Sequence, residues 1–431
     1  MKKFRKTYLN DALAGIHFSE LTDVQEKVYE LDKQKRNLIV EAKTGSGKTH
    51  AFLLPILDRL EENAGEVQAI ILAPTRELAT QIHRFIKELT EYSPNEVKVD
   101  LITGGSDRDQ IVEKLTNHQP DIVIGTPGRI HDLVFKENVL KIYQAKYFII
   151  DEADMALDEN FVEELSNLAN VSTSAKKMVF SATIPERFTP FLKKYLENPI
   201  TINVHPEEIS NLNIDHFFIK SRERDRQVVL KEIISAVNPY LAIIFCNKKE
   251  SAEEVYQLLV NQGENVALFH GGIPYRKRKQ LIQRINQLDF QYIVATDILA
   301  RGIDIIGVSH IINYELPNDI EFYIHRTGRT GRVNMDGQAI SIYEFNDNQY
   351  MDKLEHVGVQ SSYKEIKDKQ IVDARQRNKR DSKDWKENEL DRLAKQKVKK
   401  PKKVKPGYKK KYKEKIAIEK KKLHRKMKKW V

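Results

Sequence analysis

Residues 42–49, Ala-Lys-Thr-Gly-Ser-Gly-Lys-Thr, carry the side chains and glycines that bind phosphate. The apolar run 37–40 before them predicts a buried strand, and the pattern at 51–54 after them predicts a helix. Glycines let backbone N–H groups turn toward phosphate oxygens, and a helix N-terminus adds partial positive charge. The segment therefore predicts a phosphate-binding loop, with an ordinary Gly/Ser turn as the alternative.

Residues 151–154, Asp-Glu-Ala-Asp, follow a second buried-strand pattern at 147–150. Carboxylates at the C-terminal end of a parallel strand point into the crevice where open α/β sheets bind ligands. We expect Asp151 to bind Mg²⁺, directly or through water, and Glu152 to act as the base that orients the attacking water. The alternative, an acidic helix start, does not explain why the acids directly follow a hydrophobic strand. Together the two segments predict an ATP and magnesium site.

Within the loop, we expect Lys48 to neutralise the β- and γ-phosphates of ATP and Thr49 to hold Mg²⁺. The other residues predicted to bind the nucleotide here are Ala42, Lys43, Thr44, Gly45, Ser46 and Gly47. Ala42 departs from the usual pattern, because it stands where such loops have their first glycine.

Asp-Glu-Ala-Asp is also the signature of the DEAD-box RNA helicases, and other segments resemble that family's motifs in the family's order. These segments begin at Ala73, Gly104, Thr126, Ser181, Ala295, Arg301 and His325. The resemblance covers roughly residues 15–350. It implies an ATP-dependent RNA helicase that hydrolyses ATP to unwind short duplexes, and that remodels RNA or RNA–protein complexes by local strand separation.

The chain of 431 residues, 40% of them hydrophobic, is too long for one core and can build two. Strand patterns alternate with helix-length segments in both halves, which predicts α/β units with parallel sheets; the resemblance implies two tandem RecA-like domains. We expect a first domain at 1–203, a linker at 204–212, a second domain at 213–360 and a charged, Lys-rich extension at 361–431. The predicted strands are 37–40, 68–72, 97–101, 121–124, 147–150 and 178–180, then 214–219, 241–245, 265–269, 292–294, 308–313 and 338–343.

Further nucleotide contacts are implied by the resemblance alone. Arg329 and Arg332 would reach ATP from the second domain, with Arg332 as the finger that stabilises charge on the transferring phosphoryl group. Asp304 would hydrogen-bond the ribose. An upstream glutamine element would place Gln25 on the adenine edge, for which an amide offers both donor and acceptor, with Phe18 packed nearby.

RNA contacts and coupling residues are also implied by the resemblance. The predicted contacts would touch sugar and phosphate rather than base edges, and so carry no sequence information. They are Thr75, Arg76, Gly105, Thr126, Gly128, Arg129, Gly271, Gly272 and Thr296. Coupling between the nucleotide and RNA sites is assigned to Asp154, Ser181, Thr183 and His325. Leu21 and Tyr275 depart from the family, which commonly has proline and glutamine at those positions.

The basic character of the chain resides in its C-terminal extension. Residues 395–429 hold 18 lysines and Arg425 against two glutamates, a local net charge of +17, whereas the whole chain carries +10 and the remainder therefore −7. Such a lysine-rich segment is predicted to be disordered in isolation. Its lysines and interleaved aromatic residues, Tyr408, Tyr412 and Trp430, are suited to tethering structured RNA. A merely solubilising tail is the alternative.

The single cysteine, Cys246, lies in an apolar run and is interpreted as a core residue in a reducing compartment. We find no secretory signal and no membrane span, so we expect a cytoplasmic protein. The resemblance is strongest to bacterial helicases of cold adaptation, ribosome assembly or RNA decay, whose precursors and proteins are the candidate partners. Two other functions stay open: an ATP-dependent RNA clamp, and a DNA helicase on the same two domains.

Overall fold

The computed structural model describes residues 4–375 apart from 17, 19, 43–44, 63, 106, 156–158, 185–187, 205–213, 222–223, 301–304, 306 and 332–335. Residues 376–431, which include the lysine-rich segment, lie outside the described part. Within that part, every helix is too short or too polar to cross a membrane.

The first domain is a parallel seven-stranded sheet, in the order β3-β4-β2-β5-β6-β1-β7, with helices around it. Its strands are β1 Leu38–Ala42, β2 Ala69–Leu72, β3 Val99–Ile102, β4 Ile122–Gly125, β5 Tyr147–Ile150, β6 Lys176–Ser181 and β7 Ile200–Val204. Its α-helices are α1 Tyr8–Gly15, α2 Asp23–Leu31, α3 Lys48–Arg59, α4 Arg76–Thr90, α5 Arg108–Asn117, α6 Pro127–His131, α7 Glu159–Val171 and α8 Thr189–Tyr195. A π-helical turn, Asp132–Lys136, and a 3₁₀ turn, Ala153–Met155, complete it.

The inner strands β2, β4 and β5 are apolar throughout because both faces of the sheet are covered. Side chains alternate between the faces of a strand. Leu38 and Val40 of β1 therefore pack into one core layer, and Ile39 packs into the other. In β5, Ile149 joins the first layer and Phe148 the second. Continuous burial on two sides is what a parallel sheet sandwiched by helices requires.

The second domain holds an eight-stranded sheet in the order β10-β11-β9-β12-β13-β8-β14-β15. Its strands are β8 Ile214–Lys220, β9 Ala242–Phe245, β10 Val266–Phe269, β11 Tyr292–Ala295, β12 His310–Asn313, β13 Gly337–Tyr343, β14 Ser361–Lys367 and β15 Gln370–Asp373. Its helices are α9 Arg226–Ala236, α10 Lys249–Asn261, α11 Tyr275–Asn286, α12 Ile320–Thr327 and α13 Asn348–His356, with a 3₁₀ turn at Phe345–Asp347. All strand pairs are parallel except β14 with β15. Cys246 is buried, in one core layer with Ile244.

The predicted strands are confirmed with shifts of a few residues at their ends, but β7, β14 and β15 were not predicted. All three lie at or next to sheet edges and hold polar residues among the apolar ones, so they lack the continuous apolar run that marks the inner strands. The expected end of the second domain at residue 360 is wrong, because its sheet continues to Asp373. The expected linker begins where β7 ends, at Val204, and residues 205–213 lie outside the described part.

The β14–β15 hairpin belongs to the core of the second domain. Tyr363 is buried, and its ring lies 6.1 Å from that of Phe218 and 5.9 Å from that of Tyr343. The two-residue turn, Asp368 and Lys369, has positive φ at both positions, as a type I′ hairpin requires. The hairpin therefore closes an aromatic cluster that would otherwise face water.

We predict that a chain ending at residue 375 unfolds at the same temperature as the full-length protein, whereas a chain ending at residue 360 unfolds at least about 5 °C lower. Burial of one aromatic side chain is worth about 2 kcal/mol, and each kcal/mol shifts Tm by roughly 2–4 °C in a domain of this size. Calorimetry of both truncations makes the comparison. Equal melting temperatures would show that the hairpin is not part of the domain.

Candidate active site

The phosphate-binding loop joins β1 to α3 in the first domain, as the sequence predicts. Gly45 and Gly47 have φ of +85° and +89°, a conformation that glycine adopts without strain. A Cβ on Gly45 would meet nothing within 4 Å, whereas one on Gly47 would lie 2.3 Å from the Gln25 amide nitrogen. The loop therefore needs glycine at both positions. Lys43 and Thr44 lie outside the described residues.

Ala42 is the last residue of β1 and pairs with Val204 of β7. It lies in regular strand conformation, so this position requires no glycine, which explains the departure from the usual loop pattern. Its carbonyl oxygen accepts a hydrogen bond of 2.8 Å from Lys48 Nζ. The same ammonium lies 3.8 Å from Glu152 Oε1, and the Lys48 side chain is 5% exposed. Lys48 thus joins the end of β1 to the acidic turn after β5.

The acidic segment begins directly after β5. Asp151 is buried, and one of its carboxylate oxygens accepts a 3.0 Å hydrogen bond from the Glu152 backbone N–H. Burial and then the charge of Glu152 raise the pKa of Asp151 to about 7. Glu152 itself has φ of +50°, which is uncommon for a residue with a side chain and is found at functional sites. The turn thereby presents two neighbouring carboxylates beside Lys48.

Asp154, in the 3₁₀ turn, connects three parts of the molecule. Its backbone N–H donates to Ser181 Oγ over 2.9 Å, and its Oδ2 accepts from the Ala182 N–H over 3.3 Å. Oδ2 also lies 2.8 Å from Nε2 of His325, which belongs to α12 of the second domain. Ser181 Oγ in turn donates to the Thr183 carbonyl oxygen. The four residues predicted to couple the sites therefore meet.

The two charged partners of this contact shift each other's pKa. Burial raises the pKa of Asp154, but the charge and hydrogen bond of His325 outweigh that effect and lower it to about 2. Burial lowers the pKa of His325, and the Asp154 charge and hydrogen bond reverse this and raise it. Both side chains are almost fully buried, at 1% and 5% exposed. The contact is a buried ion pair between the domains.

Arg326 anchors the end of α12, although its position in the sequence indicated no role for it. Its side chain is fully buried and donates to both carboxylate oxygens of Asp297, to Asn247 Oδ1 over 2.8 Å and to the Glu315 carbonyl oxygen over 2.8 Å. These bonds fix the C-terminal turn of α12, from which His325 reaches the first domain. The partner of Arg326, Asp297, could have been found from the sequence, because residues 295–297, Ala-Thr-Asp, resemble a family motif.

Of the residues predicted to contact ATP from the second domain, Arg329 alone lies in the described part. It is 4% exposed, and its Nε donates to the His325 carbonyl oxygen over 3.3 Å. It therefore lies one helical turn beyond the residue that contacts Asp154. Asp304 and Arg332 lie outside the described residues, so their roles stay predictions.

Gln25 and Phe18 lie beside the phosphate-binding loop. The Gln25 side chain accepts from the Thr22 N–H over 2.9 Å, which caps α2, and donates to the Gly47 carbonyl oxygen over 3.2 Å. The Phe18 ring packs on His50 of α3, with centroids 5.1 Å apart. Both residues therefore shape the wall of the loop, and their contact with adenine stays a prediction.

The predicted RNA contacts all follow the carboxyl ends of strands. Thr75 caps α4 through a 3.2 Å bond from the Leu78 N–H, and Arg76 is the first residue of that helix. Gly105 follows β3, while Thr126, Gly128 and Arg129 follow β4. In the second domain, Gly271 and Gly272 follow β10, and Thr296 follows β11. A Cβ on Gly128 would lie 2.9 Å from Glu164 Oε1, so a larger residue there would displace the end of that flexible side chain.

A second contact between the domains, which the sequence did not indicate, lies among these residues. Nε of Arg278, in α11, donates to Glu77 Oε1 of α4 over 2.8 Å, and both side chains are under 10% exposed. The two residues are 201 positions apart in the chain. Their segments had been matched to family motifs, but no spacing in the sequence brings them together.

Comparison with known proteins agrees with this geometry. Residues 22–190 match the DEAD/DEAH box helicase family, and residues 225–334 match the helicase conserved C-terminal domain. The chain is 43% identical to the DEAD-box ATP-dependent RNA helicase CshB of Bacillus subtilis, over 94% of this chain and 93% of that protein. It is 41% identical to the CshB of Listeria monocytogenes, over 94% and 93%.

A solved structure, S. cerevisiae Dbp5 bound to RNA and ADP BeF3, superposes with a TM-score of 0.74. The two proteins are 28% identical, and the match covers 83% of this chain and 93% of that one. The fold is thus the two-domain RecA-like architecture that the sequence predicts. The chain belongs to the DEAD-box ATP-dependent RNA helicases.

Proposed function

We propose that this protein hydrolyses ATP in response to RNA and uses the cycle to separate short RNA duplexes locally. The observation that carries the proposal is the buried contact between Asp154 and His325, which ties the acidic turn of the first domain to the second domain. A nucleotide bound at the loop would act on this contact, because Lys48 already lies beside Glu152. In this proposal, the nucleotide state would influence the domain arrangement through these contacts.

In the proposed reaction, Lys48 exchanges its bond with the Ala42 carbonyl for the β- and γ-phosphates of ATP. Glu152 orients the attacking water and accepts its proton, with its carboxylate held by the turn after β5. Arg329 and Arg332 stabilise the charge that develops on the γ-phosphoryl group. Asp304 and Gln25 bind the ribose and the adenine edge.

The donor set fits Mg²⁺, which prefers oxygen ligands. Thr49 supplies a hydroxyl and Asp151 a carboxylate, directly or through water. Among the described residues, Glu152 Oε2 and Asp154 Oδ1 are buried oxygens without a hydrogen-bond partner, which supports a cation close to the turn. Bound there, the ion would neutralise phosphate charge. Glu152, Asp154 and His325 also offer ligand atoms within 4.8 Å, but Nε2 of His325 is already bonded to Asp154.

The RNA would lie across the carboxyl ends of both sheets, where the predicted contacts gather. Glycine and threonine at these positions favour contacts to sugar and phosphate over base readout. The bonds of Asp154 to Ser181 and Ala182 tie the acidic turn to the carboxyl end of β6, at the same edge of the sheet as the predicted contacts of the first domain. Binding of a bent single strand across two domains would displace the complementary strand of a short duplex.

Two alternative functions, an RNA clamp without turnover and a DNA helicase, are each disfavoured by one observation. A clamp that holds RNA without turnover needs no catalytic base, whereas Glu152 lies in a strained turn 3.8 Å from Lys48. A DNA helicase would share the fold, but the relatives are named as RNA helicases, and the matching Dbp5 structure is bound to RNA. Both observations favour an RNA-dependent ATPase.

For the lysine-rich segment 395–429, we propose a tether to structured RNA. Its net charge of +17 would bind phosphates independently of sequence. Ribosomal precursors and RNA-decay proteins are the partners that the resemblance implies. The bacterial relatives and a buried unpaired cysteine support action in the cytoplasm.

We predict that Glu152→Gln abolishes RNA-stimulated ATP hydrolysis and the release of a short RNA duplex, while ATP and RNA still bind. The amide keeps the size of the side chain but cannot accept a proton, and loss of general-base catalysis costs about 10²–10⁴ in rate. The wild-type protein is measured beside it with RNA and with DNA of the same sequence. Unchanged turnover in the variant would contradict the role of Glu152, and equal stimulation by DNA would contradict the choice of RNA.

Lys48→Ala serves as the contrast to Glu152→Gln. It removes phosphate neutralisation, so ATP binding itself weakens, whereas Glu152→Gln leaves binding intact. Titration with a fluorescent ATP analogue separates the two effects. Normal affinity in Lys48→Ala would show that the loop does not bind the phosphates as proposed.

Deletion of residues 395–431 should weaken RNA binding and make it less dependent on salt concentration. Each lysine–phosphate contact releases a counterion when RNA binds, and the truncated protein would form fewer of these contacts. The maximal ATPase rate at saturating RNA should persist, since no predicted site residue is removed. RNA titrations of ATPase activity at two ionic strengths test both expectations. An unchanged RNA affinity and salt slope would leave the segment with a solubilising role.

A further inference from the structure

Tyr275, the first residue of α11, lies between the two domains. Its hydroxyl is 2.9 Å from Thr80 Oγ1 on α4 of the first domain. Thr80 Oγ1 donates its own proton to the Arg76 carbonyl oxygen over 2.8 Å. The tyrosine is therefore the donor in the contact with Thr80, and it bonds the helix whose first residue is Arg76.

The Tyr275 ring also faces two guanidinium groups. The central carbon of Arg76 lies over the ring at 5.8 Å from its centroid, and that of Arg278 lies over it at 5.9 Å. Both distances fall within the range of cation–π attraction. Arg278 is already held by Glu77, through Nε over 2.8 Å and Nη2 over 2.7 Å. The Tyr275 ring therefore contacts both Arg76 and Arg278, and Arg278 belongs to the ion pair that joins the two domains.

Arg76 is confined from another direction by the turn after β3. A Cβ on Gly104 would lie 2.2 Å from one Arg76 terminal nitrogen, and a Cβ on Gly105 would lie 3.4 Å from the other. The guanidinium is therefore placed by the glycine turn of its own domain and by the aromatic ring of the second domain. This placement exists only when the domains meet.

We propose that Tyr275 is a positioning residue that holds Arg76 for the RNA backbone when the two domains close. Glutamine, which the family commonly has at this position, offers a hydrogen bond but no aromatic face, so it would leave the Arg76 side chain less confined. The inference rests on the proposed function, because it assigns Arg76 to RNA. It concerns RNA affinity in the closed arrangement and leaves the chemistry at the phosphate-binding loop untouched.

The test is RNA-stimulated ATPase activity as a function of RNA concentration for Tyr275→Gln, Tyr275→Phe and Thr80→Val. We expect Tyr275→Gln to raise the RNA concentration at half-maximal rate by about 3- to 10-fold, within the roughly 2- to 30-fold range of a cation–π contact. The maximal rate should change by less than about twofold. Tyr275→Phe keeps the ring and should shift the half-maximal concentration less than Tyr275→Gln does.

The hydroxyl contributes through Thr80, so Tyr275→Phe and Thr80→Val should have similar effects, and their combination should be no worse than either. Tyr240→Gln is the control, because Tyr240 is a 67% exposed tyrosine of the same domain. Thermal unfolding checks that each variant is folded. The phenylalanine and valine substitutions carry the test if the glutamine variant is destabilised.

An unchanged RNA half-saturation in Tyr275→Gln would overturn the proposal, and so would a fall in maximal rate alone. These outcomes differ from failure of the proposed function. If RNA did not stimulate the ATPase activity of the wild-type protein, the proposed function would fail. If RNA stimulated both proteins and Tyr275→Gln had the wild-type RNA half-saturation, only the role of Tyr275 would be contradicted.

Discussion

The buried ion pair of Asp154 and His325 is the interaction on which the arrangement of the two domains depends. Removing two charges from water is costly, and their attraction offsets that cost only when they meet with good geometry. Here they meet at 2.8 Å, and Asp154 is further bonded to the loop after β6. The bond between the two side chains exists only while the domains are together, and on separation water would solvate each charge in its place.

Hydrogen bonds within the second domain hold His325 in place, and a second ion pair joins the domains elsewhere. Arg326, next to it in α12, is fully buried and bonded to Asp297, Asn247 and the Glu315 carbonyl group. These bonds anchor the helix end at the point where it touches the first domain. At the other contact, Arg278 and Glu77 join α11 to α4. Two buried ion pairs therefore cross between the domains, one beside the nucleotide loop and one beside the predicted RNA surface.

The inner strands and the phosphate-binding loop could be predicted from the sequence because their signals are local. A fully buried parallel strand has a continuous apolar run, and the loop needs glycine in positive φ at Gly45 and Gly47. The hairpin Ser361–Asp373 was missed because its strands lie at a sheet edge and carry many polar residues, so no apolar run marks them. The contact of Glu77 with Arg278 and that of Thr80 with Tyr275 join positions about 200 residues apart, and no periodicity encodes such a meeting. Asp304, Arg332 and the lysine-rich segment lie outside the described residues, so those roles rest on the sequence and the resemblance.

The measurement that tests the central claim most directly is a double-mutant cycle on Asp154 and His325, with RNA-stimulated kcat/KM as the readout. Removing one partner of a buried ion pair typically costs about 3–5 kcal/mol, so Asp154→Asn and His325→Gln should each lower activity by at least about 100-fold. The double variant should be no less active than the less active of the two single variants, which gives a coupling energy of at least about 2 kcal/mol. If instead the two losses multiplied, the residues would act independently, and the ion pair would not be what joins the nucleotide site to the second domain.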